Sequence, residues 1–284
     1  MLLNFINDNS ESNLQSKQNN LIVNIIKDLD KIMSESGLEE VKVGVTWRHI
    51  VVTALATGVA TILAIYAAIL APVAPFPGVS GLYLAAAIYV PLSLWLGMWG
   101  CFAGYFSCLI LGFVSGFGAW SFYWALADFF EGLVPLLAFR ILKADVDIGA
   151  DLKRKKELYI ILGILIIDLI LSAIATAIPG LETLWLTTFI IAIILIIVMY
   201  VINPSKSWLL FVVFGIFGAA LVSALFGISG LVLPGIAPPE SFWIGVIGWF
   251  AGDLIVLAAI ATPLMVTLTG KIKQTSVFVE KWFS

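Results

Sequence analysis

Four carboxylates lie inside strongly apolar stretches of this chain. Of all the side chains in those stretches, these four are the most able to do chemistry. They are Asp128, Glu131, Asp168 and Asp253, and no Lys or Arg falls in the middle of the same stretches, since Arg140 lies at the end of its stretch. A charged side chain at the centre of a bilayer costs at least about 2.5 kcal/mol on insertion scales. These residues therefore favour a polar pocket for a cation, a cationic ligand or protons.

The spacing of the acids divides them into stronger and weaker candidates. Asp128 and Glu131 are three residues apart, so on a helix they share a face. If they line the same cavity as Asp253, their mutual repulsion favours a shared proton. Asp168 is the weakest candidate, because in LIIDLILSA the next polar residue is Ser172, one turn later. An alternative is that the carboxyls are protonated or hydrogen-bonded to their neighbours and only hold helices together.

The stretches that must position these acids are typical of membrane-spanning helices. The chain is 61% hydrophobic and only 12% charged, whereas soluble domains are about 25% charged. A span needs about 20 apolar residues. We therefore predict an all-α, polytopic membrane helix bundle of about eight transmembrane helices. The predicted spans cover residues 49–72, 80–97, 99–118, 121–142, 158–179, 183–202, 208–230 and 241–268.

The basic residues predict the orientation of the bundle. With eight spans, the fifteen Lys and Arg fall before the first span, between the fourth and fifth, between the sixth and seventh, or after the eighth, with Arg140 at the very end of the fourth. These places lie on one side of the membrane. By the positive-inside bias that side is cytoplasmic. This pattern favours an even number of spans, and six would satisfy much of it as well as eight. We expect a multi-pass protein of the cell (plasma) membrane with both termini in the cytoplasm.

The segments outside the spans divide the rest of the chain. Residues 1–20 are rich in Asn, Ser and Gln, which predicts a disordered cytoplasmic tail. Residues 21–48 carry apolar positions at helical spacing and predict an amphipathic cytoplasmic helix and linker. That helix either lies on the membrane or the protein body, or docks a partner. The bundle occupies residues 49–268, and residues 269–284 form a second cytoplasmic tail.

Small residues recur every fourth position in three of the spans. Such stripes let helices approach closely in lipid, where packing drives association. We predict helix packing at Ala56, Ala60 and Ala64 in the first span, at Gly100, Gly104, Gly112 and Gly116 in the third, and at Gly215, Ala219, Ser223 and Gly227 in the seventh.

Several classes of function have no support in the residues. His49 is the sole histidine, and the chain holds neither a Ser-His-Asp set nor an HExxH pair nor a Cys/His cluster. We therefore predict no enzyme activity, no metal and no cofactor. There is also no basic face for nucleic acid and no glycine loop for phosphate. Cys101 and Cys108 are interpreted as reduced packing residues, because seven residues of helix separate them by about 10 Å.

Two stretches resemble the first, eight-helix type of MASE membrane-associated sensor domain. One is PGVSGLYLAAAIYVPLSLWLGMWGCFAGYFSCLILG, residues 77–112, with small residues following a proline-containing loop. The other covers residues 219–265 and contains Trp249, Gly252, Asp253, Pro263 and Leu264. The resemblance implies a prokaryotic sensor module, usually fused to a kinase or a cyclic-dinucleotide enzyme. Because only 19 residues follow Met265, we expect the signal to pass to a separate protein partner.

A second resemblance is to the substrate-binding subunits of energy-coupling factor (ECF) vitamin transporters. It rests on the alanine stripe of the first span, the Pro/Gly loop after it and the glycine-rich third span. Those subunits meet a transmembrane coupling subunit through the alanine-spaced helix, and they have six spans. The sequence thus predicts a standalone sensor-like protein that binds a small ligand or ion in a carboxylate-lined pocket, with a transporter or transporter subunit as the alternative. The candidate binding residues are Asp128, Glu131, Asp253, Trp124 and Trp249.

Overall fold

The computed structural model describes residues 47–70, 80–150, 152–178 and 180–283, and this part of the chain is helical with no strand. The disordered tail predicted for residues 1–20 lies outside the described residues, as does nearly all of the amphipathic segment predicted for residues 21–48. The all-helical prediction is confirmed for the described part.

Eight helical segments follow one another along the chain. We number them α1 (Trp47–Leu70), α2 (Ala86–Leu96), α3 (Met98–Val114), α4 (Gly118–Ile141), α5 (Lys155–Ala177), α6 (Glu182–Ile202), α7 (Lys206–Val232) and α8 (Pro239–Ile272). The long segments α4, α7 and α8 are not uniform. The first begins with a 3-10 turn, and the other two contain the π-helical stretches Phe211–Gly218 and Leu257–Ala261.

Six of these segments are long and apolar enough to cross a membrane, by length and composition. The exceptions among the eight are α2 and α3, with 11 and 17 residues. At 1.5 Å per residue they measure roughly 16 and 25 Å, against about 30 Å for the hydrocarbon core. The prediction of a helical second span over residues 80–97 is therefore corrected, because residues 80–85 precede the helix and are not helical.

Side-chain hydrogen bonds give residues 80–85 their irregular conformation. The Ser80 hydroxyl donates to the carbonyl of Ala67 near the end of α1 at 2.8 Å, and it accepts from the Leu82 amide at 3.1 Å. This segment carries no charged residue, and all of its residues except Leu84 are buried. Irregular backbone is tolerated at membrane depth where protein surrounds it, and burial meets that condition here.

The central part of the bundle is built from α2, α3, α4, α7 and α8. A single residue, Gly97, joins α2 to α3, and the two helices pack along each other. α4 packs against α3 and α7, and α7 packs against α8, while α5 pairs with α6 and α1 packs on α3. Large apolar side chains such as Leu55, Ile167 and Ile194 are exposed on α1, α5 and α6. The molecule is thus a multi-pass helical membrane protein whose apolar outer surface suits lipid.

A short segment at residues 273–283, which we call the tail strap, lies across the turn between α2 and α3. The Val279 amide donates to the carbonyl of Trp95 at 2.8 Å, and the Met98 amide donates to the carbonyl of Trp282 at 2.8 Å. Gly97 has a φ of 63°, and a Cβ there would lie 2.4 Å from the Trp282 oxygen. Only glycine fits this turn, because both the backbone angle and the neighbouring carbonyl exclude a side chain.

Candidate functional site

Two of the predicted acids lie side by side on α4 and are held by one tyrosine on α2 and one just before it. Asp128 and Glu131 are completely buried. The Tyr83 hydroxyl donates to Asp128 Oδ2 at 2.9 Å, and the Tyr89 hydroxyl donates to Glu131 Oε2. The residues just before α2 and the helix itself therefore supply hydroxyl donors, while α4 supplies the acceptors.

Asp253 of α8 joins this pair. It is 1% exposed, and electrostatic interactions link Glu131 with both Asp253 and Asp128. Asp253 and Asp128 also interact electrostatically. We call Asp128, Glu131 and Asp253 the carboxyl cluster. The structure thus places Asp253 within electrostatic reach of Asp128 and Glu131, with which the sequence predicted it to share a pocket.

The cluster has fewer well-formed hydrogen bonds than its oxygens could accept, although Ser223, Cys108 and Trp249 lie close enough to interact with the acids. Four carboxylate oxygens have no hydrogen-bond partner among the described residues: Asp128 Oδ1, Glu131 Oε1 and both oxygens of Asp253. Buried polar groups are nearly always hydrogen-bonded, so each exception calls for an explanation. The arrangement can accept protons or a positively charged group. No three His, Cys, Asp or Glu side chains in the described part are placed to hold a metal ion.

Two tryptophans form an aromatic wall beside the acids. The Trp249 indole N–H donates to Ser223 Oγ at 3.1 Å. The Trp249 ring lies 6.0 Å from that of Trp124 and 6.4 Å from that of Tyr83, measured between centroids. A Cβ on Gly227 would lie 2.4 Å from the Trp249 ring. The small residues predicted to pack α7 against another helix thus make room for an indole of α8.

Backbone meets backbone next to Asp253. A Cβ on Gly252 would lie 2.3 Å from the carbonyl oxygen of Gly81. The irregular segment at residues 80–85 therefore passes directly against α8, one residue before the acid. This close approach explains the Gly-Asp pair, because a larger residue at 252 would push the segment and Tyr83 away from the cluster.

The other predicted packing residues have mixed outcomes. A Cβ on Gly100 would lie 2.2 Å from the Ser93 amide nitrogen, and one on Gly104 would lie 3.0 Å from the Tyr89 ring. The packing prediction for Gly116 is wrong, because this residue follows the end of α3 with a φ of 83° and nothing described lies within 4 Å of its Cβ position.

The remaining small residues are mostly buried. Ala60, Ala64, Ala219 and Ser223 are fully buried, and Ala56 is half-buried. Gly112 packs on Ser121, and Gly215 accommodates the Phe211 ring of its own helix. Cys101 and Cys108 are both free and buried.

Asp168 belongs to a different part of the molecule. It lies on α5, is 3% exposed, and neither of its oxygens has a hydrogen-bond partner in the described residues. The interactions that link the carboxyl cluster do not include it. It therefore serves as a natural comparison for the cluster.

Sequence reasoning missed the tyrosines and the serine that surround the acids. Tyr83 and Tyr89 lie in an apolar stretch where their rings look like packing residues, and Ser223 looked like part of a packing stripe. Their hydroxyl groups were the available signal, because a hydroxyl buried in a membrane helix needs a polar partner.

Comparisons with family models, curated proteins and solved structures found no match for this chain. The resemblances to MASE sensor domains and to ECF substrate-binding subunits therefore remain predictions.

Proposed function

We propose that this chain is a sensor-type membrane protein that binds a small ligand or ion at the carboxyl cluster and signals through a separate protein. The observation that carries the proposal is the set of four unpartnered oxygens on three buried acids. Burying an uncompensated charge costs several kcal/mol. A cluster needed only for packing would be more stable with apolar side chains, so its acids are better explained by a functional demand.

The proposed topology has eight crossings with both termini in the cytoplasm of a prokaryotic cell. α2 is too short alone, but residues 80–85 precede it, and six residues of irregular chain extend at most about 20 Å. Together with roughly 16 Å of helix they are long enough to cross the bilayer. The distribution of Lys and Arg supports the same orientation, because eight crossings put all of them on one side.

One short helix connects the carboxyl cluster with the tail strap, which supports a sensing role. The segment that ends in α2 carries Tyr83 and Tyr89, which hydrogen-bond to the acids. The other end of α2 carries Trp95, whose carbonyl accepts from the strap. A change in the tyrosine hydrogen bonds would therefore move the turn that the strap holds. That turn lies at the end of the bundle where the basic residues are, which suits output to a cytoplasmic partner.

A second candidate function is transport, alone or as the substrate-binding subunit of a larger transporter. The irregular segment at residues 80–85 supports it, because transporter sites are commonly formed by discontinuous helices near the bilayer midplane. Here the discontinuity lies against Gly252, beside Asp253.

The test uses purified protein in liposomes with sodium, tetramethylammonium and pH as separate probes. Tryptophan fluorescence reports binding, because Trp249 interacts with Asp253 and its ring lies 6.0 Å from that of Trp124. We expect a response in the native protein that weakens at least about tenfold in Asp253→Asn, as expected for the loss of about 1.4 kcal/mol. The matched control Asp168→Asn removes a buried acid outside the cluster and should leave the response intact.

Flux separates the two candidate functions. A sensor should move neither sodium nor tetramethylammonium nor protons across the liposome membrane. A transporter should move one of these ions, and Glu131→Gln should abolish that flux. A fluorescence response that survives neutralisation of all three cluster acids would contradict both functions.

A further inference from the structure

We infer that the occupant of the carboxyl cluster is the proton, so that pH is the variable that this site reads. The inference rests on the proposed function, because it names the ligand of the same site. It follows from the hydrogen-bond deficit, the packing around the acids and the charges that face them.

The hydrogen-bond inventory shows what the cluster needs. Three carboxyl groups present six oxygens, and only two of these accept from a tyrosine hydroxyl. Adding a proton forms one O–H bond at a carboxylate oxygen, removes one negative charge and turns an acceptor into a donor. A single proton therefore relieves an unpartnered oxygen and reduces the repulsion among the three acids.

The packing leaves little room for anything larger. Cβ positions around the cluster are already occupied: the one at Gly252 lies 2.3 Å from backbone oxygen, and the one at Gly104 lies 3.0 Å from the Tyr89 ring and 3.1 Å from the Asp128 carbonyl oxygen. At these places even a methyl group would have to displace its neighbours. These contacts offer no space for an alkylammonium ion beside Gly252 or Gly104, whereas a proton requires no space.

The side chains that face the acids carry no compensating positive charge. Those that the structure shows interacting with the cluster are Tyr83 and Tyr89 beside or on α2, Cys108 on α3, Ser223 on α7 and Trp249 on α8. None of these side chains is basic. The described part of the chain also offers no three-ligand set for a metal ion. The positive charge must come from outside the cluster, and water at the membrane surface supplies it as protons.

Infrared spectroscopy of the protein in liposomes tests this assignment. Lowering the pH should produce the C=O stretching band of protonated carboxylic acids in the native protein. Glu131→Gln and Asp253→Asn should each reduce that band and shift the titration of the acids that remain, because the three acids interact electrostatically. Asp168→Asn should remove at most its own contribution and leave the titration of the cluster unchanged.

Proton uptake provides a second measurement that does not depend on any variant. A potentiometric titration of the native protein should show at least one buried group that takes up a proton with slow access from solvent. The triple variant Asp128→Asn, Glu131→Gln, Asp253→Asn should take up at least one proton fewer, and helical circular dichroism should confirm that it remains folded.

The outcomes separate this inference from the proposed function. If tetramethylammonium or sodium gives the fluorescence response at constant pH and the carboxyl band does not titrate, the proton assignment is overturned while the proposed function stands. If neither cations nor pH alter the cluster, both are overturned. If the carboxyl band titrates with pH alone, and the triple variant of the cluster acids loses this titration, the result supports both the proton assignment and the proposed function.

Discussion

The carboxyl cluster and the tail strap are both polar, yet they satisfy their polar groups in opposite ways. In the cluster, three acids have two hydroxyl donors and four unpartnered oxygens. At the strap, one guanidinium finds several acceptors: Arg140 donates to the carbonyls of Leu94, Val279 and Lys281. The strap is built for stability, whereas the cluster keeps unmet bonding capacity where an occupant can use it.

The difference also shows how the chain distributes its charge. Arg140 lies at the end of α4, and Lys273 begins the strap, so these bases lie at the ends of helices. The acids of the cluster lie inside the bundle, where Arg140 and the other bases are not part of their hydrogen bonding. Buried charges are ordinarily paired. Keeping the two signs apart leaves the interior acids open to an occupant that is not part of the chain.

The largest expected effect comes from closing the space beside Asp253. Gly252→Ala forces a Cβ against the Gly81 carbonyl, which lies 2.3 Å from its ideal position. Overpacking of this kind costs roughly 1–3 kcal/mol, and thermal unfolding in detergent should show it. In the control Gly248→Ala, on the same helix, the added Cβ has no described heavy atom within 4 Å. This substitution should be neutral or stabilise by up to about 1 kcal/mol. Equal effects of the two substitutions would show that the close approach is not real.

The next effect concerns the strap. Arg140→Gln removes the guanidinium that holds three backbone carbonyls. Hydrogen bonds to charged groups contribute about 1.5–3 kcal/mol. Because Arg140 is partly exposed, we expect a loss at the lower end of that range together with faster hydrogen exchange at residues 277–283. The control Arg154→Gln removes an exposed arginine. Unchanged exchange in Arg140→Gln would show that the strap is held in another way, and the contrast with the cluster would lose its basis.

The smallest effect is a pH dependence at the surface. Partial burial of Asp145 is outweighed by hydrogen bonds from Lys273 and from the Asp147 amide, which hold the pKa of Asp145 below its usual value. Its contribution to stability is therefore present above the ordinary aspartate pKa and is lost as the pH falls through the lowered one. An exposed pair contributes at most about 1 kcal/mol.

The check is thermal unfolding of native protein and Asp145→Asn across the acidic range. The variant should lose stability near neutral pH and show a smaller decline on acidification. Glu157→Gln, a change at another exposed acid, should leave the acidic decline unaltered. If the stability of Asp145→Asn falls as steeply on acidification as that of the native protein, the loss of stability in acid does not come from Asp145. The interior cluster then becomes its leading source.

Hydropathy located the helices well where length and lipid exposure decide their bounds. The predicted spans at 158–179 and 183–202 correspond to α5 (Lys155–Ala177) and α6 (Glu182–Ile202). The start of α2 was missed, because residues 80–85 carry no charged residue and take their shape from contacts such as Ser80 with the Ala67 carbonyl. Gly116 was misplaced for a related reason, since a small-residue period cannot reveal that the helix has already ended.

By itself, the sequence determined that this is a helical membrane protein and that the acids in the middle of its apolar stretches lie apart from the bases. Composition and helical periodicity carry that information, because each depends only on residues close together in the chain. Only the tertiary structure decided that Asp253 lies within electrostatic reach of Asp128 and Glu131, that Tyr83 and Tyr89 bond to the α4 acids, and that Asp168 stays apart. The rotation and register of helices distant in sequence depend on packing at places such as Gly252 against Gly81, which no local pattern records.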